Sequence, residues 1–498
     1  MSNETPSSVY QPHVKEAGQL KRRSLGVVGA AVMAIALITP LTTFSTNLAT
    51  SLVLGIGSGT ILVTLLVIGL LVLFTAGYLV MNRHVLEPAA YAAYTGFGLG
   101  KRLGSGMLVM AFVGYTFATA AFVGLGGYFL AKAVAPLGLG GPWWLYSCVY
   151  VLIMAITGIR GIDVAARFNT VICGLQFVML AALFVAVIVK TPGQFTLDVF
   201  SPSQLQGPGL GLSIVFVLLS LAGFESSATY GEEARNPHRT IARATYLTLG
   251  LLGALFVLGT WVVIAASTSD TVRMSGGDPG DLMTNIYTEY LGSWTSTAVS
   301  VLVAVTILGA AIAFHNLATR YLFSGGRSGF WPQALSHTHR TKHTPHVAVA
   351  VQLVVTTLLL LPFVISGRSP LKDLLPAIGG YNALNMILKM SLVSISVIAA
   401  KKAGKLTGST YATYLAPVMA TLGLAAAGYL ILSNYGDVTG TDATWVNLMP
   451  VVIVASLAYG WIRQGQVDKL DPQLFEHIDS NASERPADSS DRTPEKLI

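Results

Sequence analysis

Apolar runs separated by short polar stretches recur along nearly the whole chain, and most approach the roughly 20 residues that cross a hydrocarbon core as a helix. The first follows a polar start and the basic cluster Lys21, Arg22 and Arg23. It continues past the apolar part of an ordinary signal peptide and so reads as a first span. Spans 1 to 5 are predicted at Gly26–Thr50, Ile56–Met81, Ser105–Ala131, Trp143–Ile159 and Val164–Val189. Spans 6 to 10 are predicted at Leu210–Tyr230, Ile241–Ser267, Trp294–Tyr321, His346–Ile365 and Leu374–Ala400. Tyr411–Leu432 and Trp445–Ile462 complete twelve. The stretch from Asn82 to Gly104 is too polar to span and is expected as a cytoplasmic hairpin or short surface helix.

Composition agrees with lipid as the solvent: 53% of the 498 residues are hydrophobic and 11% charged, against roughly a quarter charged in a soluble domain. The basic residues lie on alternate connections. One set holds Lys21–Arg23, Arg83, Lys101, Arg102, Arg160, Arg167, Arg235, Arg239 and Arg243. It continues with Arg320, Arg327, Arg340, Lys342, Lys401, Lys402 and Lys405. The other set holds only Lys132, Lys190, Arg273, Arg368 and Lys372, mixed with acidic residues such as Asp270, Asp281 and Asp437. The positive-inside rule then places both termini in the cytoplasm of a multi-pass cell-membrane protein with an even number of spans. The formal charge of +7 is thus a topology signal, and nucleic acid is excluded as a partner. The chain divides into a cytoplasmic segment (1–23), a core of ten spans (24–402), spans 11 and 12 (403–463) and a disordered cytoplasmic tail (464–498). Cys148 and Cys173 are isolated within apolar runs and offer neither a disulfide framework nor a metal site.

Two spans carry features that an uninterrupted helix avoids. In span 1, Thr39-Pro40-Leu41-Thr42 sits midway, and Pro40 lacks a backbone donor and clashes with the preceding turn. In span 6, Ser220-Leu221-Ala222-Gly223-Phe224-Glu225 combines a helix-weakening glycine with a carboxylate in apolar surroundings. The two spans are five apart and run in opposite directions, so each opens one half of an inverted repeat. Paired breaks at matching positions are the best sequence-level pointer to a transporter's midplane site. Each break frees amides and carbonyls that can bind a carboxylate, an ammonium or a cation.

The stretch GFESSATYGEEARNPHRTIARA, from Gly223 to Ala244, resembles the helix 6 segment of the amino acid–polyamine–organocation superfamily. Two other stretches, Asn316–Pro345 and Gly158–Asn169, are similar to further parts of that pattern. The resemblance covers about the first ten spans. It implies an all-α membrane fold with a five-plus-five inverted repeat, broken helices 1 and 6 and two additional C-terminal helices. It also implies a permease that carries an amino acid or related amine or polyamine by alternating access. By position, the solute would meet Thr39, Leu41 and Thr42 in span 1 and Leu219, Ala222, Gly223 and Phe224 in span 6. Tyr115 and Phe112 in span 3 are weaker candidates for a facing wall. Phe224 or Phe216 would supply the aromatic lid. Two departures stand out. Pro40 has no amide to offer a substrate carboxylate, which favours an amine. Gln176 lies near where some proton-coupled members carry a lysine.

Three buried ionisable residues bear on coupling, since such groups are costly in a span. Glu225 reads as a proton-coupling group, as the partner of a substrate ammonium, or as a residue that shapes the unwound helix. Lys389 lies about 16 Å along its helix from Ala400, beyond unaided snorkelling. It reads either as a group that faces the bundle interior, paired with a carboxylate or helix-end carbonyls, where it could stand in for a coupling cation, or as a group in a shifted span or a water-filled cytoplasmic vestibule. His315 reads as a proton relay or as an interhelical hydrogen-bonding group. His337, His339, His343 and His346 lie in a basic loop without acidic or thiol company, the pattern of a solvated loop. No cofactor or metal is implied, H+ and Na+ are the candidate coupling ions, and the sequence does not choose between them. A membrane enzyme would need a nucleophile with its base or a ligand cluster, and a channel a repeated filter motif. A nutrient sensor that binds without transport remains open, as does the oligomeric state.

Overall fold

A computed structural model describes residues 26–470 except 86, 88, 161, 208, 226–236, 268–278, 340–343, 369, 371–373 and 440–443. The N-terminal segment 1–23, the Glu-Glu-Asn-Pro part of the Gly223–Ala244 stretch and the end of the tail lie outside the described residues, as do Arg340, Lys342 and His343.

Every described element is helical. Span 1 is divided into α1 (Val27–Ile38), α2 (Pro40–Thr43), a π-helical turn (Phe44–Leu48) and α3 (Ala49–Val53). Spans 2 to 6 correspond to α4 (Thr60–His84), α6 (Lys101–Val134), α7 (Trp143–Arg160), α8 (Ile162–Lys190) and α9 (Leu210–Ser220), with α5 (Ala90–Leu99) between the first two. Then come α10 (Pro237–Ala266), α11 (Pro279–Leu291), α12 (Trp294–Arg327), α13 (His346–Ile365), α14 (Leu375–Lys402) and α15 (Ala416–Ser433). Two short helices, α16 (Tyr435–Thr439) and α17 (Thr444–Asn447), lead to α18 (Met449–Leu470). Among the described residues, eight helices are long and apolar enough to cross a membrane. The apolar helices Trp143–Gly158 and Leu210–Ser220 are shorter.

The outer surface carries long apolar stripes. On α8, Val171, Val178 and Val185 repeat every seven residues and all are exposed. On α13, Val354, Leu358, Leu361 and Ile365 form a second exposed apolar stripe. Such faces have no reason to remain uncovered in water.

α6 is the central element, packed against α5, α7, α12 and α18. Close approach depends on small residues, as expected where hydrophobic driving force between helices is weak. A Cβ on Gly460 of α18 would lie 2.5 Å from the Cα of Gly106 on α6. α5 departs from the surface placement expected for Asn82–Gly104. Its Ala90, Tyr91, Tyr94 and Thr95 are buried, and a Cβ on Gly98 would sit 2.7 Å from the Cα of Ser396 on α14. The glycine lets this short helix wedge between α6 and α14, where its tyrosines join the core. The last helix also runs beyond the expected start of the tail. Gln464 is buried, accepts a hydrogen bond from Ser105 Oγ at 2.5 Å and donates to Asp468 at 2.8 Å. Residues 464–470 are therefore helix.

Candidate functional site

The break in span 1 lies one residue before its proline. Thr39 adopts φ 49°, ψ 73°, the left-handed region, and is the only described non-glycine residue with positive φ. That conformation is a rare outlier for a β-branched residue, and strain of this kind clusters at ligand sites. Pro40 then opens α2 at its first position, where its missing N–H is no loss. The freed groups find specific partners. Thr43 Oγ1 donates to the Ile38 carbonyl at 2.7 Å, and the Leu41 N–H donates to Gln176 Oε1 at 3.2 Å. Gln176, on α8, is thus a brace for the broken helix.

The break in span 6 follows α9. Leu221 and Ala222 donate to Leu218 and Leu219, one tight turn, and Gly223 then takes φ 103°. The Gly223 N–H donates to Glu225 Oε2 at 3.1 Å. Tyr78 Oη donates to the Glu225 carbonyl at 3.1 Å, which pins the break to α4.

Between the two breaks, α6, α12 and α14 enclose a cavity of about 100 Å³. Of the residues expected at the site, Thr39, Thr42, Tyr115, Leu219, Ala222, Gly223, Glu225 and Lys389 line it. Leu41, Phe224, Gln176 and His315 do not. Leu41 is fully buried with its amide held by Gln176. Phe224 is fully buried edge-on against Phe74, with centroids 6.1 Å apart, so it is core and no lid over this cavity. Phe216 and Phe112 also lie outside the lining, and Phe112 packs on Trp331. His315 is buried, neither ring nitrogen has a hydrogen-bond partner among the described residues, and it faces Gly158 of α7.

Sequence reasoning missed much of the wall. Phe122 of α6 and Phe314 of α12 stack at 5.2 Å on one side, and Ile378, Asn382 and Met386 of α14 line another. Helical steps of three and four back from Lys389 reach Met386, Asn382 and Ile378, so the α14 face was available from Lys389 alone.

Two ionisable groups line this mostly apolar space. Glu225 is 3% exposed and Lys389 5%. Lys389 Nζ lies 4.1 Å from the centroid of the Tyr115 ring and 5.4 Å from that of Tyr91, a cation–π setting. Below it, Tyr78, Tyr91, Tyr94 and Tyr321 are fully buried and form a floor toward the basic connections. Asn82 Nδ2 donates to Tyr94 Oη at 2.9 Å, and the Tyr91 N–H donates to Tyr321 Oη at 3.3 Å. Farther in the same direction, Arg327 is paired with Glu87. Away from the floor, Thr46, Asn47, Leu125 and Leu375 carry the lining toward the opposite end of the bundle.

Thr42 lines the cavity, and its buried Oγ1 has no hydrogen-bond partner among the described residues. A buried hydroxyl left unpaired costs about 1–3 kcal/mol, so Thr42→Val is expected to leave the melting temperature unchanged or raise it. The same substitution removes one hydrogen bond to a bound solute, about 1 kcal/mol, and should raise the half-saturation of uptake by roughly fivefold to tenfold. Thermal unfolding and uptake kinetics on the same preparation check both halves.

A family model described as amino acid permease matches residues 25–458. The low-affinity putrescine importer PlaP of Escherichia coli K12 is 25% identical over 337 residues, covering 65% of this chain and 71% of the relative. The branched-chain amino acid permease BcaP of Bacillus subtilis is 23% identical over 337 residues, covering 64% of this chain and 68% of the relative. Its namesake from Lactococcus lactis is 26% identical over 310 residues, covering 53% and 61%.

Proposed function

The chain belongs to the amino acid permease family, a transporter rather than an enzyme, and from that premise we propose that it carries an amino acid or related amine by alternating access. The observation that carries this reading is the cavity between the two broken segments. It holds Glu225, Lys389 and the unpartnered Thr42 hydroxyl within a mainly apolar wall. In this reading the fold is a twelve-helix, five-plus-five inverted repeat with two added helices, and both termini are cytoplasmic in the cell membrane. The tyrosine floor and the Glu87–Arg327 pair then close the cytoplasmic side, and the cavity is the outward-facing half of the cycle. A proton or sodium gradient drives the movement.

Uptake into proteoliposomes of a radiolabelled panel of amino acids, amines and polyamines, under imposed proton or sodium gradients, tests the proposal. Saturable, gradient-stimulated uptake of at least one member is expected. Binding without uptake or counterflow of any member would contradict transport and leave a sensor.

A further inference from the structure

Resting on the proposed function, we infer that Lys389 is the specificity-determining residue of the cavity: its ammonium holds the carboxylate of a zwitterionic, apolar amino acid. The broken helix 1 is poorly equipped for that task. Pro40 has no N–H, and the Leu41 N–H is already donated to Gln176 Oε1 at 3.2 Å. A carboxylate entering the cavity needs another donor, and the lining offers a charged one in Lys389.

Lys389 is suited to it by position. Its Nζ lies over the face of Tyr115 and is flanked by Tyr91. Both rings are buried and fix the ammonium without neutralising it. Among the described residues no carboxylate lies within 4.0 Å of Nζ, so the ammonium keeps its donors for an incoming anion. Thr42 Oγ1 adds a neutral donor on the helix 1 side.

Glu225 supplies the complementary charge. One of its oxygens accepts the Gly223 N–H at 3.1 Å, and the side chain lines the same cavity. With Lys389 and Glu225 both ionised, the site carries zero net charge. Such a site matches a solute that carries one of each, and a diamine would bring two positive charges against one carboxylate. Ala118, Phe122, Leu219, Phe314, Ile378 and Met386 give the same wall a broad apolar part, which accommodates an apolar side chain, beside the polar Asn47 and Asn382.

The test pairs each amino acid with the amine it becomes on decarboxylation: leucine with isoamylamine, phenylalanine with phenethylamine, and alanine with ethylamine, with putrescine as the dication. Competition binding to the full-length chain in nanodiscs is measured for the wild type, Lys389→Gln and Lys389→Arg. The wild type is expected to prefer the amino acid of the tightest pair over its amine by at least tenfold, and to bind putrescine no better than the amine. Lys389→Gln should bring that preference to within threefold by weakening the amino acid and leaving the amine as tight or tighter, and Lys389→Arg should retain most of it. A wild-type preference for putrescine or the amine would overturn the assignment and leave the broader transport reading intact. So would an unchanged preference in Lys389→Gln. The wild-type comparison stands whether or not the variants fold. Absence of binding by every compound would remove the transport reading and this inference together.

Discussion

Glu225→Gln is expected to lower the initial rate of solute uptake on the order of 100-fold while the protein still folds. The amide is nearly isosteric, and its oxygen can still accept the Gly223 N–H that Glu225 Oε2 now accepts. Backbone geometry at the break is therefore retained. What disappears is the negative charge on the cavity wall. Charge-assisted hydrogen bonds are worth about 1.5–3 kcal/mol, and the substitution also leaves Lys389 facing the cavity without its counter-charge. A loss of about 2.7 kcal/mol corresponds to that 100-fold, at roughly 1.4 kcal/mol per tenfold. Uptake rates and thermal unfolding on the same preparation check it. Uptake within threefold of wild type would show that the Glu225 charge takes no part.

Gly223→Val is expected to abolish measurable uptake, a loss of more than about 100-fold, and to lower stability as well. Gly223 has φ 103°, where a side chain clashes with the backbone, and a β-branched residue fares worst. The strain is on the order of 2 kcal/mol or more, and relief requires the break to refold. Refolding would move Ala222 and Glu225, which line the cavity on either side of it. The combined loss separates this variant from Glu225→Gln, in which only transport falls. Gly223→Ala should be intermediate on both axes. A valine variant with normal melting and normal uptake would mean that the left-handed turn is dispensable.

The legible features of the sequence were those that violate a helix or a bilayer. Pro40, Gly223 and Glu225 are expensive in an apolar helix, so they can be read without knowing their neighbours. Lys389 stands out for the same reason, and of its two readings the structure has the buried one, against Tyr115 and Tyr91. The strained residue was not legible. Threonine disfavours the left-handed region, so nothing in Thr39 announced that the turn would fall on it. The cavity walls were hidden for a different reason. In water, one face of a helix is polar and the other apolar, and the pattern tells which face packs. In lipid both faces are apolar, so Phe122 and Phe314 at the cavity look no different in sequence from Val178 and Leu358 at the outer surface.

α5 shows the same limit. Its ten residues are too short to span, and a short, glycine-containing stretch between basic residues resembles a surface loop. Its burial depends on the missing Cβ of Gly98 against Ser396 and of Gly104 against Gly96. Those close approaches are set by other helices and leave no local trace. Gln176 is instructive in another way. It was singled out as standing near a coupling position, and the contact it makes is a hydrogen bond to the Leu41 amide. A buried glutamine beside a helix break can satisfy the backbone, a role that the side chain alone does not reveal.

The central claim is that solute binds between the two broken segments, and it is tested most directly by thiol protection at the cavity wall. Cys148 and Cys173, the two native cysteines, are first replaced by serine, and Ala118→Cys then puts a single thiol in the lining. The rate of labelling by a small membrane-impermeant reagent is measured in proteoliposomes against rising concentrations of a transported solute. Labelling should slow saturably, with a half-effect at the concentration that half-saturates uptake. An unchanged labelling rate at solute concentrations that saturate uptake would contradict the account.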